Sequence, residues 1–335
     1  MGTGRLVVFS DLHLHLWTYG ASTVNGRNSR LLDQANVLDQ VVAYLLENYI
    51  NTIVFTGDYF HTHSSVKAEV LSVAYRFLSK LKEVKINSVF LVGNHDYGDK
   101  SGDIYSIEFF KSFGKVVEQP GLYGDIFWAM SYTEDTDKLK RFLEKTPKDA
   151  IILMHQGVSN VPINSKGFTL NEILLPSMVP SWASAAFSGH YHSHAKVTDK
   201  LWIPGSPMQL TWSDTGEQRG LLDVHYNGAR SDIKFVPLKS PRFVTVSEID
   251  QNVEGNFVRI KGSNIELKEQ ALKAGARSCE LVTEERRPDE LLVDDSRNFD
   301  SLPNLVSAYM DHRNLDVITR KVGTQIMEGT FEISR

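Results

Sequence analysis

Cysteine is nearly missing from this chain: Cys279 is alone among 335 residues. An intrachain disulfide needs two thiols and a thiolate metal cluster needs more, so both are excluded. Any metal site must therefore draw on His, Asp, Glu and Asn. Long apolar runs are missing too, none approaching the roughly 18 residues of a membrane span. The opening Met-Gly-Thr-Gly-Arg leads straight into a strand-like Leu6-Val7-Val8-Phe9. The expectation is a protein with no signal peptide, no membrane contact and a cytoplasmic address. An excess of basic charge is also lacking, since Lys+Arg 36 against Asp+Glu 41 leaves a net charge of −5. That is not the balance of a small non-specific nucleic-acid binder. It does not exclude work on phosphates, because bound divalent cations invert the charge that a phosphate meets locally.

What is present is an alternation. From residue 6 to about 240 a short apolar strand, a polar loop and an amphipathic helix recur. Apolar runs predict strands over Leu6–Ser10, Thr52–Thr56, Ser88–Val92, Ile126–Met130, Ala150–Met154, Ala185–Ser188, Leu201–Pro204, Leu221–Tyr226 and Ile233–Leu238. Three- and four-residue spacing predicts one helix through Leu31, Ala35, Leu38, Val42, Leu45 and Tyr49, and another through Val66, Val70, Ala74, Phe77 and Leu81. Strands alternating with helices early, then strands in succession, imply an α/β sandwich of two mixed sheets with helices outside. After Pro241 the pattern changes. Phe257–Lys261, a helix through Leu267 and Leu272, and Cys279–Thr283 read as a small β-α-β unit. An acidic stretch from Glu284 to Asp295 follows. Leu305, Tyr309 and Met310, then Ile318, Val322 and Ile326, predict two short amphipathic helices at the end.

Potential metal ligands sit just after strands. Asp11 and His13 follow the first, Gly57-Asp58 the second, and Gly93-Asn94-His95-Asp96 the third. His155 ends the run Ile151–Met154, and Gly189-His190-Tyr191-His192 follows Ala185–Ser188. Loops at the carboxyl ends of strands in an α/β sheet converge on one crevice, so groups this far apart in sequence can meet. A lone Asp-x-His is more often loop punctuation, Gly-Asp marks turns, and a lone histidine is commonly a core residue. All five blocks, in order and each after a strand, leave ordinary packing little room. Carboxylate, imidazole and amide carbonyl suit Mn²⁺, Fe or Zn²⁺ better than the all-oxygen shells of Mg²⁺ or Ca²⁺. A carboxylate such as Asp58 can bridge two ions, and paired ions about 3.5–4 Å apart can clamp a phosphate.

These blocks resemble the calcineurin-like metallophosphoesterase superfamily over roughly residues 5–240. The resemblance implies a four-layer α/β/β/α sandwich and two divalent metal ions, most simply Mn²⁺. One ion would be held by Asp11, His13, Asp58 and His192, the second by Asp58, Asn94, His155 and His190. His95 would face the substrate and protonate or stabilise the leaving oxygen, with Asp96 orienting its imidazole. Protein phosphatases of this superfamily read Gly-Asp-x-Val-Asp-Arg-Gly after the second strand, whereas this chain has Gly57-Asp58-Tyr59-Phe60-His61. Gly-Asp-x-Phe-His is similar to the nuclease subunit of SbcC–SbcD complexes and their recombination-nuclease relatives, where His61 would position DNA for exonuclease cutting. The blocks His155-Gln156-Gly157, Ile203-Pro204-Gly205-Ser206-Pro207, Gln209-Leu210-Thr211 and Arg219-Gly220-Leu221 agree with it. The family often has Gly soon after Asp-x-His-Leu; here stand His15, Leu16 and Trp17. His15, His63 and His194 match no ligand position.

That resemblance implies a nuclease domain at 1–240, a capping, DNA-binding domain at 241–290, and a linker with a helical tail at 291–335. The implied activity is cutting of duplex DNA as an exonuclease, with endonuclease activity as well, in break processing and recombination. The implied partners are an SbcC-like coiled-coil ATPase docked on the tail and a second copy of the chain. A nucleotide or cyclic-nucleotide phosphodiesterase with the same dimetal site is the alternative, though such an enzyme has no need of an added β-α-β unit and helix pair.

Overall fold

The computed structural model describes residues 3–63, 65–98, 104–162, 167–216, 218–250 and 252–282, together with Met310 and Lys321. The chain opens with β1 (Thr3–Phe9), a minimal hairpin of β2 (Thr23–Val24) and β3 (Arg27–Asn28), and α1 (Ser29–Glu47). Next come β4 (Thr52–Phe55), α2 (Ala68–Glu83), β5 (Asn87–Leu91), β6 (Lys115–Val117), β7 (Gly121–Tyr123) and β8 (Phe127–Met130). α3 (Thr136–Glu144), β9 (Ile151–His155), β10 (Ala185–Gly189), β11 (Ala195–Lys196) and β12 (Leu201–Ile203) follow. A long hairpin of β13 (Gly220–Asn227) and β14 (Arg230–Pro237) precedes β15 (Phe243–Val246), β16 (Phe257–Lys261), α4 (Ile265–Lys273) and β17 (Ser278–Val282).

Two six-stranded sheets carry the fold, in the orders β14-β13-β1-β4-β5-β6 and β11-β12-β10-β9-β8-β7. β1, β4, β5 and β6 are parallel, as are β8, β9, β10 and β12. Strand side chains alternate between faces, and β1 shows the consequence. Leu6 and Val8 join Val54, Val89 and Leu91 against Phe127, Ile151, Leu153 and Phe187 of the other sheet. Val7 and Phe9 point the opposite way, under Leu38 and Leu45 of α1 and Phe77 of α2. On the far side of the second sheet, Ile152 and Met154 meet Leu139, Phe142 and Leu143 of α3. The layers are helices, sheet, sheet, helix. Burial on both faces is why the central strands read as unbroken apolar runs.

α1 is capped by the Asn28 side chain, which accepts from the Leu31 N–H at 3.0 Å. Tyr49 does not extend its buried face. It lies past the C-cap with φ +57° and is 95% exposed, because the chain turns sharply there into β4. α3 carries little signal in sequence, having only three apolar residues in its nine; its start is fixed by Asp135, which accepts from the Lys138 N–H at 2.9 Å. Beyond the hairpin, β15, β16 and β17 form a separate sheet in that order, β15 and β16 being parallel, with α4 between β16 and β17. Residues 1–260 and 264–280 group into one compact unit, and 261–263 with 281–335 into another. The acidic stretch and the helical expectations at Leu305, Tyr309, Ile318, Val322 and Ile326 lie outside the described residues; Met310 is helical and buried. Among the described residues no helix is long and apolar enough to cross a membrane.

Candidate metal centre

Parallel order puts the carboxyl ends of β1, β4 and β5 side by side, and those of β9 and β10 beside each other. The β1–β4 ladder continues into the loops beyond. The Asp11 N–H donates to the Gly57 carbonyl (3.0 Å), His13 N–H to Asp58 (3.1 Å) and Leu14 N–H to Tyr59 (2.8 Å). This lacing holds a backbone that L-residues otherwise avoid: Asp11, His13 and Asp58 have φ of +51°, +44° and +60°, and His190 has +98°. Each such residue costs on the order of 1–3 kcal/mol and persists only where its surroundings impose it. Here four expected ligands carry that cost together. The loops also pack too closely for side chains at several glycines, Gly93 and Gly189 among them. A Cβ on Gly93 would lie 2.1 Å from Asp58 Oδ1, and one on Gly189 would lie 2.2 Å from Ser10 Oγ.

The seven residues expected to bind metal come together. Asp11, His13 and His192 each offer an atom within 4.8 Å of the others, and so do Asp11, Asp58 and His155. Asp58 faces both groups. Its Oδ2 is 3.5 Å from His13 Nε2 and its Oδ1 is 3.4 Å from His155 Nε2. Asn94 Oδ1 lies 3.1 Å from His155 Nε2 and 2.9 Å from His190 Nδ1. Asp11 belongs to both groups geometrically and also accepts from the His190 N–H at 3.1 Å.

The polar atoms are arranged for cations they do not supply themselves. Among the described residues, both ring nitrogens of buried His13 lack a hydrogen-bond partner, a costly arrangement for a buried imidazole. Burial holds its pKa well below the ordinary histidine value, against the pull of Asp58 and with the push of His192, His95 and His61; neutral imidazole is the ligand form. His155 Nδ1 sits 2.6 Å from the Thr56 carbonyl. Its N–H donated there turns Nε2 toward two oxygens, Asp58 Oδ1 and Asn94 Oδ1. Burial opposes a charge on His155, yet the carboxylates of Asp58 and Asp11 and the Thr56 carbonyl outweigh it and raise the pKa to about 9. A divalent cation would take the place of that extra proton. Burial likewise lowers His190 to about 4, His155 adding to it and Asp58 opposing. Carboxylate, imidazole and amide oxygen at these distances fit two divalent ions.

One expected role is corrected. Asp96 does not touch the His95 ring. Its two oxygens accept four backbone N–H bonds, from Asp58 (2.9 Å), Tyr59 (3.0 Å), Phe60 (3.2 Å) and Gly93 (3.0 Å). The reason is geometric. The 3-10 turn Asn94–Asp96 tucks the third residue under the Asp58 loop, so adjacency to His95 in sequence points the two side chains apart. His95 is held instead by its Nδ1, 2.9 Å from the His61 carbonyl, while its N–H donates to Asp58 Oδ1 at 2.9 Å.

Two supports carried no sequence signal. Gln34 of α1 donates to the Leu12 and His13 carbonyls and accepts from the His15 N–H, bracing the first ligand loop. Asp214 Oδ1 lies 3.2 Å from His192 Nδ1, the carboxylate–histidine pairing that orients metal-binding imidazoles. Burial alone would raise Asp214; the hydrogen bond and charge of His192, the charge of Arg219 and the Thr211 N–H bring it down to about 2. Asp214→Asn is expected to weaken metal binding about 10–100-fold. Calorimetric titration with Mn²⁺ checks this, and an unchanged affinity would detach Asp214 from the site.

The remaining histidines divide. His61 lies beside His95 and His13, with ring centroids at 5.4 and 5.5 Å, and burial first, then His15 and His95, lowers it to about 4. His15 packs on His61 and Trp17. His63 stacks on His95. His194 turns away, its Nδ1 2.9 Å from the Ile203 carbonyl and its ring on Phe235.

The calcineurin-like phosphoesterase family model matches residues 4–194. Across 84% of its length the chain is 23% identical to a DNA double-strand break repair protein Mre11 of Methanopyrus kandleri, covering 71% of that protein. It is 25% identical to the Mre11 of Sulfurisphaera tokodaii over 58% of this chain and 50% of that one. Among solved structures, a dimetal phosphatase from Danio rerio aligns at 12% identity over 70% of this chain and 96% of its own, with a TM-score of 0.41.

Proposed function

The chain belongs to the calcineurin-like phosphoesterase family, and from that premise we propose that it is a Mn²⁺-dependent DNA nuclease of double-strand break repair. The observation that carries the phosphodiester chemistry is Asp58, whose two oxygens face two different ligand groups. The nuclease assignment is supported by the Mre11 relatives, which are named as DNA double-strand break repair proteins.

Asp11, His13, Asp58 and His192 would hold one ion, and Asp58, Asn94, His155 and His190 the other. When bound, such ions neutralise phosphate charge and lower the pKa of water. The protein's part is to hold and move protons around them. Thr56 fixes the His155 tautomer through its carbonyl, and Asp214 does the same for His192. His95 keeps its Nδ1–H on the His61 carbonyl and, when Nε2 carries a proton as well, gives that proton to the leaving oxygen. His61, packed between Trp17 and His95, positions the duplex end for exonuclease cutting. Residues 241–290 act as the capping, DNA-binding element. Residues 291–335 dock a coiled-coil ATPase, and the active particle is a homodimer; a net-acidic chain gains phosphate affinity from such partners, because that affinity comes from Lys and Arg displacing counterions.

The test is digestion of linear duplex DNA with and without Mn²⁺, beside bis-p-nitrophenyl phosphate and a cyclic nucleotide. Metal-dependent cutting of DNA is expected; cleavage confined to the cyclic nucleotide would sink the nuclease reading. In the same assay His61→Ser should lose exonuclease activity while retaining most hydrolysis of the small diester. Equal losses on both substrates would instead give His61 a part in the chemical step.

A further inference from the structure

Trp17, His61, His95 and His63 form a row of rings running outward from the core. Trp17 is its foot. It packs on the buried cluster of Val37, Met208 and Leu210 and donates its indole N–H to the His13 carbonyl at 3.3 Å. The His61 ring lies 4.5 Å from it, His95 stacks on His61 at 5.4 Å and 16°, and His63 stacks on His95 at 4.8 Å and 20°. The first three rings are partly buried, but His63 is exposed. Among the described residues no other ring packs against it.

We propose that His63 is a base-stacking residue: its outer face takes the unpaired nucleobase of the nucleotide next to the scissile phosphate. This rests on the nuclease reading and narrows its substrate to a frayed or melted DNA end. Three observations converge on it. One face of His63 is already committed to His95, the ring assigned to the leaving oxygen, so a group stacked on the other face lies one ring beyond the chemistry. In a nucleotide, a flat base is joined to the phosphate through a single sugar, which matches that separation. The row beneath is fixed by the core and by the His95–His61 hydrogen bond, so the platform needs no reordering when a base arrives. Histidine is among the side chains on which single-stranded bases stack, and such stacking tolerates every base because each has a π-face.

The experiment uses the full chain with Mn²⁺ and pairs of duplexes with frayed ends. Each pair differs only in an intact or a tetrahydrofuran abasic nucleotide, placed on one side or the other of the cut phosphate. Wild type is expected to cut the intact member about tenfold better on one side, the scale of one base–aromatic stack. His63→Ala should bring that ratio to about one, and His63→Phe should restore it. A ratio near one in wild type, or a ratio unchanged by His63→Ala, overturns the proposal and leaves the nuclease reading standing. Failure of the wild-type protein to cut any DNA overturns both.

Discussion

Asp58→Asn is expected to leave the fold standing and abolish hydrolysis of every phosphodiester. Asn is among the residues most tolerant of the left-handed backbone, so the φ of +60° at this position remains accessible. The remaining amide oxygen can still accept from the His95 N–H, which Asp58 Oδ1 now does at 2.9 Å. What changes is the second atom. An NH₂ group would stand where Oδ2 now faces His13 Nε2 at 3.5 Å, and an amide nitrogen does not coordinate a cation. One ligand group loses its shared oxygen, and the whole site loses a negative charge that offsets two dications. Metal analysis of the purified variant should show depleted ions, and the rise in melting temperature that Mn²⁺ gives the wild type should disappear, because only ligands that bind the native state stabilise it. Wild-type metal content together with wild-type rates would refute the bridging assignment.

His95→Ala should separate proton transfer from metal binding. The His95 backbone N–H stays in place to support Asp58, and Asp96 continues to hold the Asp58 loop through three backbone bonds. Both ions are therefore expected to remain. The imidazole is what disappears, and catalysis should fall by roughly two to four orders of magnitude, the scale of a lost general acid. The fall should be smaller for p-nitrophenyl esters, whose leaving group needs little protonation, than for DNA. An empty metal site in this variant would move His95 into the coordination shell.

The layered fold and the candidate ligand blocks were readable in sequence for one physical reason: both are local signals. A strand buried on two faces must be apolar throughout, so Ile151–Met154 or Ser88–Val92 declare themselves, and a polar block straight after such a run has no packing explanation. Periodicity also gave α1 and α2, though not α3, whose nine residues hold too few apolar positions to stand out. The partnerships were decided by tertiary structure. Asp96 follows His95 in the chain, yet the turn aims it at the backbone of Asp58, 38 residues away. Thr56 fixes His155 through a carbonyl, a group every residue has and no motif displays. Asp214 reaches His192 because a 3-10 turn over Trp212–Asp214 carries it there, and no spacing rule relates the two. The row from Trp17 to His63 draws on the loops after β1, β4 and β5, and only the parallel order of those strands puts the three side by side. Sequence determined which residues could do chemistry, because residue type and burial pattern are local properties. Which atoms meet was settled by crossover packing, which joins segments that share no local signal.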